Sequence, residues 1–154
     1  MGDFHQNGVI TTLHNLNDRP LEELEKELMG FAETRPMALI LPCLYSELEG
    51  PAMDNIVAEL SRVPYLSQIV IGLDRADEAQ YKKALEFFKV LPQEHVVLWN
   101  DGPRLKSLDD ELCKLSLEPK QLGKGRNVWY CLGYLLSQGK AEAIALHDCD
   151  IVTY

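Results

Sequence analysis

The sequence lacks several features that would point to common classes of protein. None of its four cysteines forms a C-x-x-C pair, so zinc-finger and thioredoxin-like sites have no support, and reduced thiols in a cytosolic protein are expected. No apolar run approaches the roughly 20 residues of a membrane span. The start of the chain also lacks the basic flank and apolar stretch of a signal peptide. We therefore expect a cytoplasmic protein with no membrane span.

Basic residues are scarce relative to acidic ones. The chain has 15 lysines and arginines against 24 aspartates and glutamates, which gives a formal net charge of −9. A diffuse negative field repels phosphate backbones and anionic lipids, so no nucleic-acid partner is expected. A small anionic ligand would need local help from a metal ion, a lysine or backbone amides. The hydrophobic content of 46% in 154 residues is typical of one soluble globular domain.

Short apolar runs alternate with helical patterns along the chain. Four runs predict strands, at residues 37–41, 69–73, 96–99 and 143–146. The last run is expected to be buried on both faces. Residues 105–122 are interpreted as a partly helical excursion over the sheet edge. This alternation predicts an α/β fold with a mostly parallel sheet flanked by helices on both faces.

The chain is expected to divide unequally. Residues 1–35 are interpreted as an N-terminal extension that carries one helix, which ends before Pro36. Residues 36–154 are expected to form the α/β domain, because all four predicted strands lie there and no linker interrupts them.

An acidic pair, Asp148-Cys149-Asp150, follows the last predicted strand. In a parallel sheet, ligands bind outside the carboxyl ends of the strands. Two carboxylates at that edge offer the hard oxygen ligands that Mg²⁺ or Mn²⁺ prefers. A cation held there can neutralise a diphosphate. The alternative interpretation is a capped strand end followed by a turn.

Two further segments are candidates for ligand contacts. Asp74 follows the second strand and could accept hydrogen bonds from a ribose or a base; alternatively it caps the next helix, a role that Asp77 could also take. Gly123-Lys124-Gly125 opens a helix, where amides and a lysine favour an anion. The alternative for this segment is a tight turn with an exposed basic pair, Lys124 and Arg126. Neither a Walker loop nor a dinucleotide-binding fingerprint is present.

In this order, the motifs resemble the N-terminal, nucleotide-binding half of GT-A glycosyltransferases. Within that group, residues 36–154 are most similar to the retaining enzymes that make glucosyl-3-phosphoglycerate or mannosylglycerate. The family's proline and acidic loop after the first strand match Pro42 to Glu47, although its usual Asn-Glu pair appears here as Tyr45-Ser46-Glu47. The resemblance implies a Rossmann-like GT-A half-domain with Asp150 and Asp148 at the metal. It also implies a set of nucleotide-binding residues: Pro42, Leu44, Glu47, Asp74, Gly123, Lys124 and Asp148.

The resemblance also implies a function. It suggests a metal-dependent glycosyltransferase that uses a UDP- or GDP-linked hexose and a small polar acceptor of the glycerate or phosphoglycerate type. No catalytic base is assigned, because in a retaining enzyme the departing phosphate can take the acceptor proton.

Two alternatives remain open. The first is a sugar nucleotidyltransferase, although residues 42–47 lack the glycine-rich basic loop that such enzymes carry. The second is a non-catalytic nucleotide-binding or assembly module.

Family members continue beyond the Asp-x-Asp with an acceptor-binding half. We therefore expect this chain to be the donor-binding half alone and inactive by itself. Such a half would expose apolar surface, through which a homodimer could form.

Overall fold

The computed structural model describes residues 19–152, so residues 1–18 of the predicted N-terminal extension lie outside the described residues. The described part is built from alternating helices and strands. A short 3₁₀ helix, Tyr45–Glu49, interrupts this alternation after the first strand. The helices and strands follow one another as α1 (Leu21–Thr34), β1 (Met37–Leu44), α2 (Pro51–Leu60), β2 (Leu66–Asp74), α3 (Glu78–Phe88), β3 (Glu94–Trp99), α4 (Pro103–Lys114), α5 (Lys124–Gln138) and β4 (Ala143–Leu146).

The four strands form one parallel sheet in the order β3-β2-β1-β4. The register is regular at its centre, where Ile40 of β1 pairs with Val70 of β2 on one side and with Leu146 of β4 on the other. This arrangement confirms the predicted α/β fold with a parallel sheet. All four strands therefore end at the same edge of the sheet.

Helices cover both faces of the sheet, as predicted. Because side chains alternate along a strand, Leu39 and Leu41 of β1 pack in one core with Met53 of α2 and Phe88 of α3. Ile40 points to the opposite core, where it joins residues of α5. None of the helices that the structure describes is both long and apolar enough to cross a lipid bilayer.

The environment of β4 differs from the prediction. Residues 143–146 were expected to be buried on both faces, but all four are exposed, with Leu146 at 51%. The reason is its position: β4 lies at the edge of the sheet beside β1, and α5 packs over β1 and β2. An apolar run identifies a strand, but it does not reveal what packs against it.

The first strand is longer than predicted. The apolar run suggested an end before Pro42, whereas β1 continues to Leu44. The carbonyl of Ile40 accepts a hydrogen bond from the His147 N–H, and Pro42, two residues on, faces the same side. The pairing of β1 with β4 ends at Ile40, so no strand needs a hydrogen bond from the backbone nitrogen of Pro42, which has no hydrogen to donate.

The excursion over residues 105–122 is partly helical, as expected. Most of it belongs to α4, which has no buried residue. The chain then reaches Gly123, from which α5 starts back across the sheet.

Candidate functional site

A cavity of about 200 Å³ lies at the carboxyl ends of the parallel strands. Segments from β1, β2, the start of α5 and the stretch after β4 form its walls. Every residue that the sequence analysis predicted to contact a nucleotide or a metal ion lines this cavity. The complete lining is Pro42, Cys43, Leu44, Glu47, Asp74, Arg75, Gly123, Lys124, Asn127, Asp148, Cys149 and Asp150.

Asp74, the last residue of β2, is almost fully buried at 6% exposure. Its carboxylate lies 3.7 Å from Nη2 of Arg126, and Nη1 of the same guanidinium lies 3.5 Å from the carboxylate of Asp109. Asp77, not Asp74, caps α3, because its side chain accepts a hydrogen bond of 2.8 Å from the Gln80 N–H. Of the two roles considered for Asp74, helix capping is therefore excluded.

Arg126, which the sequence analysis assigned to an exposed turn, pairs with the cavity residue Asp74. Its side chain is only 13% exposed and is enclosed between Asp74 and Asp109. The interpretation of residues 124–126 as an exposed basic pair is therefore wrong for Arg126. A cation in the first turn of a helix is unusual, because the helix dipole favours anions there. That position was the available signal that Arg126 has acidic partners.

The start of α5 presents backbone amides to the cavity. Gly123 adopts φ of +134°, a conformation that L side chains rarely take, and it has no side chain that could cap the helix. The first amides of α5 and the positive end of its dipole are therefore available to an anion. Lys124, the first helical residue, is about half exposed and pairs with the Asp148 carboxylate. The polar wall at α5 is thus positively charged.

The close approach of α5 to β2 depends on Gly72. The Asn127 side chain, 3% exposed, donates a hydrogen bond of 2.7 Å to the Gly72 carbonyl. A Cβ atom at Gly72 would lie 1.7 Å from Asn127 Oδ1 and 2.7 Å from Cys131 Sγ. Sequence analysis did not identify Asn127 as a site residue. The sequence offered one signal: an asparagine in the first turn of the helix that follows Gly123.

The loop after β1 forms the opposite wall. Pro42 and Leu44 lie at the end of the strand, and the 3₁₀ helix brings Glu47 back so that its carboxylate accepts a hydrogen bond of 2.7 Å from the Leu44 N–H. Burial raises the pKa of Glu47, and the negative charges of Asp150 and Asp148 add to that effect; the Leu44 N–H opposes it. Negative charge is therefore concentrated where these three carboxylates meet.

The acidic pair follows β4 directly. Asp148 is partly exposed and Asp150 is exposed, while Cys149 between them is 2% exposed. One oxygen of Asp148 accepts from Lys124, which leaves its other oxygen and both oxygens of Asp150 without a described protein donor. Carboxylate oxygens in a region of excess negative charge have the chemistry that a hard divalent cation requires.

The chain is similar over its whole length to curated proteins. It is 53% identical over 154 residues to a glucosyl-3-phosphoglycerate synthase of Persephonella marina and covers 38% of that protein. It is 40% identical to a glucosyl-3-phosphoglycerate synthase of Methanococcoides burtonii, with 99% of this chain and 37% of that protein aligned. Neither a protein-family model nor a solved structure matches. The chain thus spans well under half of the length of these relatives. It is homologous to the N-terminal part of the glucosyl-3-phosphoglycerate synthases, a family of glycosyltransferases, as the motifs suggested.

Proposed function

We propose that this chain forms the donor-binding part of a glycosyltransferase that uses a nucleotide-sugar donor. One observation carries the proposal. Eight residues nominated from separate motifs line a single cavity, in a chain homologous to proteins named glucosyl-3-phosphoglycerate synthase. A nucleoside diphosphate needs positive charge for its phosphates and polar groups for its ribose. The wall at the start of α5 offers the positive charge, and the wall at the ends of β1 and β2 offers the polar groups.

In this proposal the start of α5 binds the diphosphate. Lys124 and the free amides after Gly123 would face the phosphate oxygens, because a helix N-terminus favours an anion. Asp74, held beside Arg126, would accept hydrogen bonds from the nucleoside. Pro42, Leu44 and Glu47 would form the opposite wall of the nucleoside pocket.

Asp150 and Asp148 would hold Mg²⁺ or Mn²⁺. When bound, such a cation supplies positive charge that stabilises the nucleoside diphosphate as it leaves the sugar. The pKa of Glu47 is raised mainly by burial, and the negative charges of Asp150 and Asp148 add to that rise, which is consistent with this assignment. The chain's own contribution is to fix two carboxylates directly after β4, beside the lysine that binds the phosphates.

The name of the relatives suggests the substrates. A glucosyl-3-phosphoglycerate synthase joins a glucosyl group to 3-phosphoglycerate, so we propose a glucose-containing donor and an acceptor of the phosphoglycerate type. We assign no residue as a catalytic base.

Titration calorimetry with UDP-glucose, GDP-glucose and GDP-mannose, each with and without Mn²⁺, tests the proposal. We expect one donor to bind in a Mn²⁺-dependent manner. Failure of all three donors to bind at millimolar concentration would refute a donor-binding function. Tight binding of a nucleoside triphosphate in preference to every sugar nucleotide would instead favour a nucleotidyltransferase.

The metal assignment has its own test. Asp150→Asn keeps the shape of the side chain but removes its charge, and it should abolish the Mn²⁺ dependence of donor binding. Asp110→Asn, on the exposed surface of α4, is the matched control and should bind as the wild type does. Unchanged Mn²⁺ dependence in Asp150→Asn would show that the cation is held elsewhere.

A further inference from the structure

Two buried cysteines and a glutamate meet beneath the acidic pair. Cys43 lies near the end of β1 and is fully buried, Cys149 lies between the two aspartates at 2% exposure, and Glu47 lies in the 3₁₀ helix. One ligand atom from each residue, two Sγ atoms and a carboxylate oxygen, lies within 4.8 Å of the other two. These residues also border the cavity, so a small ion can reach them.

The backbone fixes this arrangement. Cys43 is paired with Leu73 inside the parallel sheet, and Glu47 is held by the hydrogen bond from the Leu44 N–H. The segment after β4 is anchored where the His147 N–H donates to the Ile40 carbonyl, which brings Cys149 over the end of β1. Because all three side chains are held before any ion arrives, little ordering entropy opposes binding.

We propose that Cys43, Cys149 and Glu47 form a binding site for a soft divalent cation such as Zn²⁺ or Cd²⁺. Thiolates select soft cations, and a carboxylate completes many zinc sites. Tetrahedral zinc with sulfur at about 2.3 Å places its sulfur ligands about 3.8 Å apart. The observed separations therefore need only a small closure of the side chains. Water from the cavity supplies the fourth ligand.

Charge also favours a cation at this point. As a thiol, Cys43 donates to the Leu44 carbonyl at 3.2 Å; its hydrogen bond with Cys149 and then its burial raise its pKa, so a bound cation must displace this proton. On binding, the cation takes the two sulfurs as thiolates, the two thiol protons pass to solvent, and no electron is transferred. The cation replaces those protons in a region where Asp150 and Asp148 already place excess negative charge.

This site differs from the proposed Mg²⁺ or Mn²⁺ site in its ligands. Hard cations prefer the carboxylate oxygens of Asp148 and Asp150, whereas a soft cation prefers sulfur. The soft-cation site can be tested with no nucleotide present. The result of that test is therefore independent of whether the proposed function is correct.

In the first experiment, the protein is kept reduced with a phosphine and titrated with Cd²⁺. The ultraviolet absorbance from sulfur-to-cadmium charge transfer is measured at each step. We expect one equivalent to saturate the signal. Cys43→Ser and Cys149→Ser should each lose most of the absorbance and weaken binding at least about tenfold. Cys113→Ser, at an exposed position of α4, and Cys131→Ser, in the core on the other face of the sheet, are the matched controls. Wild-type titration curves in either Cys43→Ser or Cys149→Ser, or no charge-transfer signal in the wild type, would overturn the proposal.

A second experiment needs no substitution and so does not depend on a variant that folds. Alkylation of the wild-type protein in mild urea, read by mass spectrometry at each cysteine, should slow at Cys43 and Cys149 when Zn²⁺ is added. Labelling of Cys113 should not change. Protection confined to Cys113, or equal labelling of Cys43 and Cys149 with and without Zn²⁺, would contradict the site.

Discussion

Replacing Gly72 with alanine should disrupt the contact that sets α5 against the sheet. The added methyl would lie 1.7 Å from Asn127 Oδ1 and 2.7 Å from Cys131 Sγ. Real Cβ atoms essentially never approach a neighbour this closely. Both neighbours are buried in α5, so the helix as a whole must move away from β2 or the Asn127 side chain must leave its position.

The expected cost follows from two effects. Overpacking of a dense core costs about 1–3 kcal/mol. Loss of the buried hydrogen bond from Asn127 to the Gly72 carbonyl adds about 1–3 kcal/mol, because both groups would remain buried. Alanine also restricts the unfolded chain, which returns about 0.4–1 kcal/mol. Since one movement of α5 relieves part of both costs, we expect the free energy of unfolding to fall by about 2–4 kcal/mol.

Urea denaturation followed by circular dichroism measures this change. With a slope of about 2 kcal/mol/M, the midpoint should fall by about 1–2 M. Gly133→Ala, on α5, is the control, because nothing lies within 4 Å of its added Cβ. It should leave stability unchanged or raise it by up to about 1 kcal/mol. A free energy of unfolding of Gly72→Ala within about 0.5 kcal/mol of the wild-type value would refute the packing argument.

The double variant Gly72→Ala/Asn127→Ala checks the proposed cause. Removing the Asn127 side chain relieves the closest contact but leaves the Cys131 sulfur in place. The double variant should therefore lose less stability than the two single variants lose together. Strict additivity would mean that the methyl of alanine does not meet Asn127.

Two further predictions concern charge in the cavity. Lys124→Ala should weaken binding of a nucleoside diphosphate by about 1.5–3 kcal/mol and binding of the free nucleoside far less, because its proposed partner is a phosphate. Calorimetry with both ligands measures the two losses, and Lys120→Ala is the control. Equal losses for the two ligands would place Lys124 beside the base. Glu47 has a raised pKa in the folded protein. At a pH above its ordinary pKa of 4.5, Glu47 is therefore protonated more often in the folded protein than in the unfolded chain. Its contribution to stability is therefore fullest at low pH and falls as the pH rises through the folded pKa. In urea titrations, the free energy of unfolding of the wild type minus that of Glu47→Gln should fall as the pH rises from 4.5 through the folded pKa of Glu47. A difference that rises with pH would contradict the assigned cause.

Much of the fold could be predicted because local signals agree with the tertiary structure. The run Ile69-Val70-Ile71 has strong strand propensity and lies in the centre of the sheet. Helix α5 begins at Lys124, where the glycine-lysine-glycine sequence suggested a start. The environment of β4 could not be predicted in the same way, because strand order depends on how the whole chain packs.

The membership of the cavity could be predicted for a topological reason. Residues after parallel strands must gather at one edge, so the ends of β1, β2 and β4 come together wherever they lie in the sequence. The contacts between them could not be predicted, since they depend on packing over long separations. The hydrogen bond from Asn127 to Gly72 spans 55 residues. The pairing of Arg126 with Asp74 and the meeting of Cys43 with Cys149 arise in the same way.

The distribution of charge around the cavity bears on the proposed binding of an anion by a chain of net charge −9. The positively charged side chains of the cavity lining are Lys124, beside the amides at the start of α5, and Arg75, directly after β2. Negative groups lie on the wall formed by Glu47, Asp148 and Asp150. Lys124 and Asp148 touch across the gap, so each partly neutralises the other until a ligand separates them. A phosphate and a divalent cation arriving together would replace that ion pair with two new ones, phosphate on Lys124 and cation on Asp148. Binding of the anion and binding of the cation should therefore be coupled, with each strengthening the other by the same factor.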